Sequence, residues 1–225
     1  MSLAYFLTGT DTEIGKTFTA CALLHAARAA GFAAAGLKPV AAGVDAAGRN
    51  EDVDSLVAAS SVALPSAVVN PYCFRAAVAP HIAAAEEGRA IDFAVIADAL
   101  ATARRLADFV VVEGVGGFRV PLGVDRDSAD LAIALGLPVI LVVGLRLGCI
   151  NHALLAAEAI AARGLTLAGW VANTVDRDMA RREENIAALA GRLAAPLLGV
   201  LPRLPGAGPE RAASCLRLPA AAASL

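Results

Sequence analysis

Leu3-Ala4-Tyr5-Phe6-Leu7-Thr8-Gly9-Thr10-Asp11-Thr12-Glu13-Ile14-Gly15-Lys16-Thr17 reads as a strand, a loop and the first turn of a helix. Five apolar residues come first, then small and polar ones, then Gly15-Lys16-Thr17 at the head of an alanine-rich helical stretch. That order is what a phosphate-binding loop requires. Successive backbone N–H groups and the positive end of a helix dipole converge on one point, where phosphate oxygens are held. Lys16 is expected to neutralise the β- and γ-phosphates, and the Thr17 hydroxyl to ligate magnesium. The usual pattern carries glycine five residues before the Gly-Lys pair; here Thr10 stands there, with Gly9 one place earlier.

Outward from this loop, short apolar runs alternate with alanine-rich helical stretches, the signature of a parallel sheet with crossover helices. Strands are expected at Leu3–Leu7, Ala33–Lys38, Phe109–Glu113, Pro138–Val143, Leu167–Asn173 and Leu197–Leu201. Helices are expected at Lys16–Ala30, Asp52–Ser60, Asp92–Leu106, about Ile150–Arg163 and about Met179–Leu193. No repeat, linker or charge block divides the chain, so residues 1–225 are expected to form a single α/β domain. Its fold class is a doubly wound, mostly parallel sheet of the P-loop NTPase type, with a Gly-, Pro- and Ala-rich tail over 205–225 that is loosely held. In such sheets ligands sit beyond the carboxyl ends of the strands.

Composition narrows the function. The 225 residues carry a net charge of −2, with no basic excess to favour nucleic acid or an anionic membrane. Hydrophobic content is 58%, but the longest apolar stretch, Leu131–Leu145, is interrupted by Gly136 and Pro138 and is too short to span a bilayer. No basic segment precedes the apolar run at the N-terminus, so the cytoplasm is the default compartment. Cys21, Cys73, Cys149 and Cys215 lie far apart and read as buried free thiols.

Of 19 basic residues only Lys16 and Lys38 are lysine; the rest are arginine. Lysine is then expected where a compact ammonium is needed and a planar guanidinium does not fit. Lys38 ends the second strand at the ligand edge. Glu113 ends a buried strand at the same edge, where a second acidic ligand of a nucleotide-bound magnesium belongs, and the glycines after it permit close approach of backbone to phosphate. Asp52 and Asp54 near the start of a short helix read equally as caps or as metal ligands. Gly148, Cys149, Ile150 and Asn151 open a helix whose free N–H groups suit a carboxylate. No nucleophile–histidine–acid pattern accompanies His152 or His81, and covalent catalysis by the protein has no support.

Taken together, GTDTEIGKT (Gly9–Thr17), KPVAAG (Lys38–Gly43), VNPYCF (Val69–Phe74), APHIAA (Ala79–Ala84), VEGVGG (Val112–Gly117), LPVILVVGLRLGCINHALL (Leu137–Leu155), LAGWVAN (Leu167–Asn173) and LLGVLPRL (Leu197–Leu204) resemble the dethiobiotin synthetase family. These motifs span nearly the whole chain in family order, and the altered phosphate loop is the family's own form. The resemblance implies an ATP-dependent cyclo-ligase of biotin biosynthesis. It joins carbon dioxide (or bicarbonate) to 7,8-diaminopelargonic acid and closes the cyclic urea, releasing ADP and phosphate. The route it implies is a carbamate, then a carbamic–phosphoric anhydride, then ring closure by the second amine. The substrate supplies both nucleophiles, which leaves the protein positioning and charge stabilisation.

Carried over position by position, the resemblance implies that Lys38, Lys16 and Thr12 serve catalysis. Glu13, Ile14, Gly15, Thr17, Phe18, Gly114, Val115 and Gly116 would line the ATP phosphates. Magnesium would be held by Thr17, Asp54 and Glu113, Asp54 being preferred because Asp-Ser-Leu matches the family's pattern. Asn173, Thr174, Pro202, Arg203, Leu204 and Glu210 fall where adenine and ribose are held. Lys38 and Ala42 would meet the substrate, and Gly148, Cys149, Ile150 and Asn151 would bind its tail carboxylate from the neighbouring subunit of a homodimer. Two positions depart from the pattern: Ala42 stands where serine is common, and Arg203 where an aromatic residue occurs. Two rival readings are a related amidotransferase-type synthetase and an ATP-switch protein. The first normally appends a glutaminase domain; the second usually carries an extra lysine early in the loop, where Asp11-Thr12-Glu13 stands.

Overall fold

A computed structural model describes residues 2–203, 206 and 208–220. In chain order the elements are β1 (Leu3–Gly9), α1 (Lys16–Ala29), β2 (Ala34–Leu37), β3 (Val40–Ala42), α2 (Glu51–Ala59), α3 (Ser66–Val69), β4 (Tyr72–Phe74), α4 (Pro80–Glu86), α5 (Phe93–Leu106), β5 (Phe109–Glu113), α6 (Ser128–Leu135), β6 (Val139–Leu145), α7 (Cys149–Ala162), β7 (Leu167–Thr174), α8 (Arg182–Ala190), β8 (Leu197–Leu201) and α9 (Pro209–Ala212) with a following 3-10 turn (Ala213–Cys215). Six strands form one parallel sheet in the order β2-β5-β1-β6-β7-β8. The expected α/β class is therefore the observed one.

The central strands are apolar without alternation because both faces are covered by helices. β5 and β6 are buried along their whole length. One core cluster joins Tyr5, Leu7 and Val111 to Leu23, Leu24 and Ala27 of α1; another joins Phe6, Val110 and Val112 to Ile96, Leu100 and Ala103 of α5. A third packs Trp170 of β7 with Cys149 and Ala153 of α7 and Leu189 of α8.

Register decides what meets at the carboxyl edge. Leu7 of β1 pairs with Glu113, and Leu37 of β2 pairs with Val112. Lys38, one residue beyond β2, therefore stands beside Glu113, and both flank the loop that leaves β1. After β1 the chain turns to one side of the sheet, and after β5 it crosses to the other. The ligand crevice of a doubly wound sheet forms at such a switch point.

Several elements differ from the sequence reading. β3 and β4 form a separate two-stranded parallel pair, Val40 to Tyr72 and Ala42 to Phe74; three residues are too few to display a period. α3, α4 and α6 were also not expected, and α8 is shorter than the Met179–Leu193 helix, starting after Arg181 at φ 54°. The stretch Leu131–Leu145 is the end of α6 followed by β6. Among the described residues no helix is long and apolar enough to cross a membrane. Residues 208–220 include α9 with buried Ala212, and Leu216 bridges back to Gly199 of β8. Of the cysteines, Cys21 and Cys149 are buried as expected, whereas Cys73 is half-buried and Cys215 exposed.

Candidate active site

The loop between β1 and α1 is shaped by two glycines. A side-chain carbon at Gly9 would lie 2.7 Å from Ile14 Cδ1, and one at Gly15, whose φ is +79°, would lie 2.3 Å from Asn173 Nδ2. The same Asn173 nitrogen donates to the Ile14 carbonyl at 2.7 Å, so β7 pins the loop from behind. Glu13 also sits at positive φ, 58°, a conformation that costs a non-glycine residue about 1 kcal/mol or more. α1 starts without a side-chain cap and without an acidic residue in its first turn, leaving its first N–H groups to an anion. Lys16 Nζ donates to the Asp11 carbonyl at 2.8 Å, and the Asp11 carboxylate is ion-paired with Arg146. Burial, then the nearby Lys38 charge, lowers the Lys16 pKa to about 8, despite Glu113, Asp52 and Asp11.

Below the loop, four side chains converge. The Thr17 hydroxyl lies 2.7 Å from Asp52 Oδ1 and 2.7 Å from Glu113 Oε1. Lys38 Nζ lies 2.9 Å from Asp52 Oδ2 and 2.5 Å from Glu113 Oε1. Lys38 and Glu113 are buried, and Glu113 Oε2 has no hydrogen-bond partner. For Lys38 burial favours the neutral amine, but Glu113 and Asp52 outweigh it and hold the pKa above the ordinary lysine value. Burial pushes Glu113 up against the pull of Lys38. These tendencies oppose each other across one contact; a nitrogen gripped by two carboxylates at 2.5 and 2.9 Å is an ammonium paired with carboxylates. Asp52 lies below its ordinary value because, against burial, the Lys38 charge and the Lys38 and Thr17 hydrogen bonds prevail.

Asp52, not Asp54, is thus the acidic residue that α2 presents here. Two residues along a helix turn a side chain by about 200°, so Asp54 points away and is exposed. Asn50 fixes the phase of α2, accepting from Val53 N at 3.2 Å and donating from Nδ2 to the Gly43 carbonyl at 2.7 Å. Thr17, Asp52 and Glu113 fit a hard divalent cation: every donor is oxygen, two are carboxylates, and one buried carboxylate oxygen is otherwise orphaned.

These groups open into a cleft of about 890 Å³. Thr12, Glu13, Gly15, Lys16, Thr17, Lys38, Ala42, Glu113, Val115 and Gly116 line it, and so do Asp52, which the sequence left open between cap and metal ligand, and Asn50 and the Ala77–Pro80 wall, to which it assigned no role. Ile14 is buried beneath the loop, Phe18 packs into the α1 core, and Gly114 lies behind the cleft against Phe6. Asn173 and Thr174 end β7 behind Gly15. Pro202 and Arg203 follow β8, with Arg203 donating to the Val175 carbonyl at 2.5 Å; Leu204 lies outside the described residues. Glu210 is exposed on α9. Gly148, Cys149, Ile150 and Asn151 do not line this cleft; they start α7, with Gly148 at φ 93° and no side-chain cap.

A family model described as an AAA domain matches residues 4–211. The chain is 64% identical over 219 residues to the ATP-dependent dethiobiotin synthetase of Aromatoleum aromaticum, covering 96% of this chain and 97% of that protein. Among solved structures it resembles the septum site-determining protein MinD complexed with Mg-ADP from Pyrococcus horikoshii (17% identity, TM-score 0.53) and the cell division protein MinD from Aquifex aeolicus (15% identity, TM-score 0.56). Each alignment covers 91% of this chain and 83% of the other. At that identity the likeness to the two solved structures is one of fold.

Proposed function

Because the chain belongs to the dethiobiotin synthetase family, we propose how its own residues divide the work of that ligase. The reaction is the ATP-dependent carboxylation and ring closure of 7,8-diaminopelargonic acid with carbon dioxide, giving dethiobiotin, ADP and phosphate in biotin biosynthesis. One substrate amine takes up carbon dioxide as a carbamate. A carbamate oxygen attacks the γ-phosphorus and ADP leaves. The second amine then attacks the carbonyl carbon, and the phosphate departs as the urea closes. No protein nucleophile takes part.

Lys16 and the N–H groups of the loop hold the phosphates, and Lys38 faces the carbamate and the transferring phosphoryl group. Thr12 and Glu13 border the path between them. Thr17, Asp52 and Glu113 hold magnesium, which supplies charge neutralisation at the phosphates when bound. Asn173, Thr174, Pro202, Arg203 and Glu210 lie toward the nucleoside, with Arg203 in place of an aromatic residue. Ala41, Ala42 and the Ala77–Pro80 wall offer an apolar bed for the substrate chain. With no hydroxyl at Ala42, only backbone is left there for a polar contact. The start of α7 serves the substrate carboxylate of a neighbouring subunit in a cytoplasmic homodimer; supporting this, Gly148–Asn151 stay out of their own cleft.

The observation that carries the reading is that both lysines of the chain line a single cleft, one on the phosphate loop and one on the acidic pair beside it. Phosphate release with ATP and magnesium tests it, with and without diamine and bicarbonate. Release that needs both is the expected result; release indifferent to diamine would instead mark an ATP switch.

A further inference from the structure

The groups that fit a divalent cation are already engaged by a cation of the chain itself. Lys38 Nζ grips Asp52 Oδ2 and Glu113 Oε1, the carboxylates that flank the Thr17 hydroxyl. An ammonium and a dication sharing two carboxylates stand within a few ångströms of each other, and in a buried site like charges at that range repel strongly. Lys38 can yield only by its side chain. Its backbone is pinned on both sides, N–H to the Val69 carbonyl at 2.8 Å and carbonyl from Asn70 Nδ2 at 2.5 Å.

We infer that Lys38 is the resting counter-ion of the metal cage, holding Asp52 and Glu113 until a divalent cation enters with the nucleotide, whereupon Nζ swings to the acceptor side of the cleft by Ala41 and Ala42. The same ammonium thus keeps bare metal out and becomes available to the carbamate only once metal and triphosphate are in place. This accounts for a lysine here in a chain whose basic residues, Lys16 apart, are otherwise arginine. A guanidinium binds a carboxylate through two parallel N–H groups and releases it reluctantly, whereas an ammonium on a flexible stem is a point charge that can change partners. The inference rests on the metal and acceptor roles proposed above.

Mn2+ alone, titrated into the full chain without nucleotide and followed by the electron paramagnetic resonance of free Mn2+, is the direct test. Lys38→Met should bind Mn2+ on the order of tenfold more tightly than the native protein, the scale on which a close charge shifts a carboxylate's affinity for a cation. Lys38→Arg should bind no more tightly than the native protein. Equal affinity of Lys38→Met and native protein overturns the inference. If Glu113→Gln and Asp52→Asn leave binding of Mn2+ with a non-hydrolysable ATP analogue intact, the metal reading itself fails. If they abolish it while Lys38→Met matches the native chain, only the counter-ion role fails. Because Lys16 and Lys38 are the only lysines, protein labelled with 13Cε-lysine gives two signals and needs no substitution at the site under test. The Lys38 signal should move with the analogue plus Mg2+ and stay in place with the analogue in chelator. A signal indifferent to Mg2+ overturns the proposal.

Discussion

A lysine at position 38 is a choice of shape as much as of charge. Lys38→Arg should keep its affinity for metal-free nucleotide near native and lose most turnover, because a broad guanidinium stays forked on Asp52 and Glu113 and does not reach the acceptor. Steady-state kinetics beside a nucleotide-binding titration checks it, and near-normal turnover would remove Lys38 from the mechanism. Lys16 yields a pH prediction. Its pKa in the free protein is lowered to about 8 from an ordinary 10.5, and a bound triphosphate favours the ammonium. Below pH 8 the charge is already present; above it, binding must take up a proton, so ATP affinity should fall by roughly tenfold per pH unit until the pKa of the complex is reached. Calorimetry from pH 7 to 9.5 should show that fall and a rising proton uptake; a flat profile contradicts it. At α2, Asp52→Asn should lose metal-dependent activity by on the order of a hundredfold, as removal of a transition-state electrostatic contact does, whereas Asp54→Asn should stay near native. Lys16, Lys38 and Glu113 were legible in the sequence because strand and loop ends announce themselves. The choice between Asp52 and Asp54 was not, because Asp-Ser-Leu at 54–56 matched a pattern while the phase of a nine-residue helix was set elsewhere.

At the scale of elements, that phase comes from Asn50. Its side chain caps α2 and ties it to the strand pair through the Gly43 carbonyl. Asn50→Ala should cost about 1 kcal/mol of stability and weaken metal binding along with it, measured by denaturant unfolding and a Mn2+ titration. Gly15 marks where two elements nearly touch. Gly15→Ala combines a positive φ with a 2.3 Å encounter with Asn173, so ATP binding should be lost outright while the fold, read by circular dichroism, persists. Long buried strands and the alanine-rich helices were plain in the sequence, since each repeats its period several times. The β3–β4 pair was not. Its three-residue strands exist because Tyr72 and Phe74 pack beneath Val40 and Arg89 lies over both rings, contacts between segments that are distant along the chain.

For the whole molecule, the proposed homodimer places the acceptor carboxylate of one subunit at the start of α7 in the other. Asn151→Asp, which sets a negative charge there, should raise the KM for the diamine with little effect on ATP binding. Mixing inactive Lys38→Ala with an inactive α7 variant should restore roughly a quarter of native activity, because half the dimers are mixed and each then holds one intact site of two. No recovery on mixing would confine each site to one chain.

By itself the sequence determined the class of the sheet, the phosphate loop and the two lysines at its edge. Hydrophobic period, glycine placement and the scarcity of lysine are local properties, visible without knowing what packs on what. Only the tertiary structure decided that Asp52 closes the acidic set, that Asn173 pins the loop from behind and that Lys38 rests on the carboxylates beside Thr17. Those are matters of strand register and helix phase. Both are fixed by contacts between residues tens of positions apart, and a one-residue shift in either turns a side chain away from the cleft.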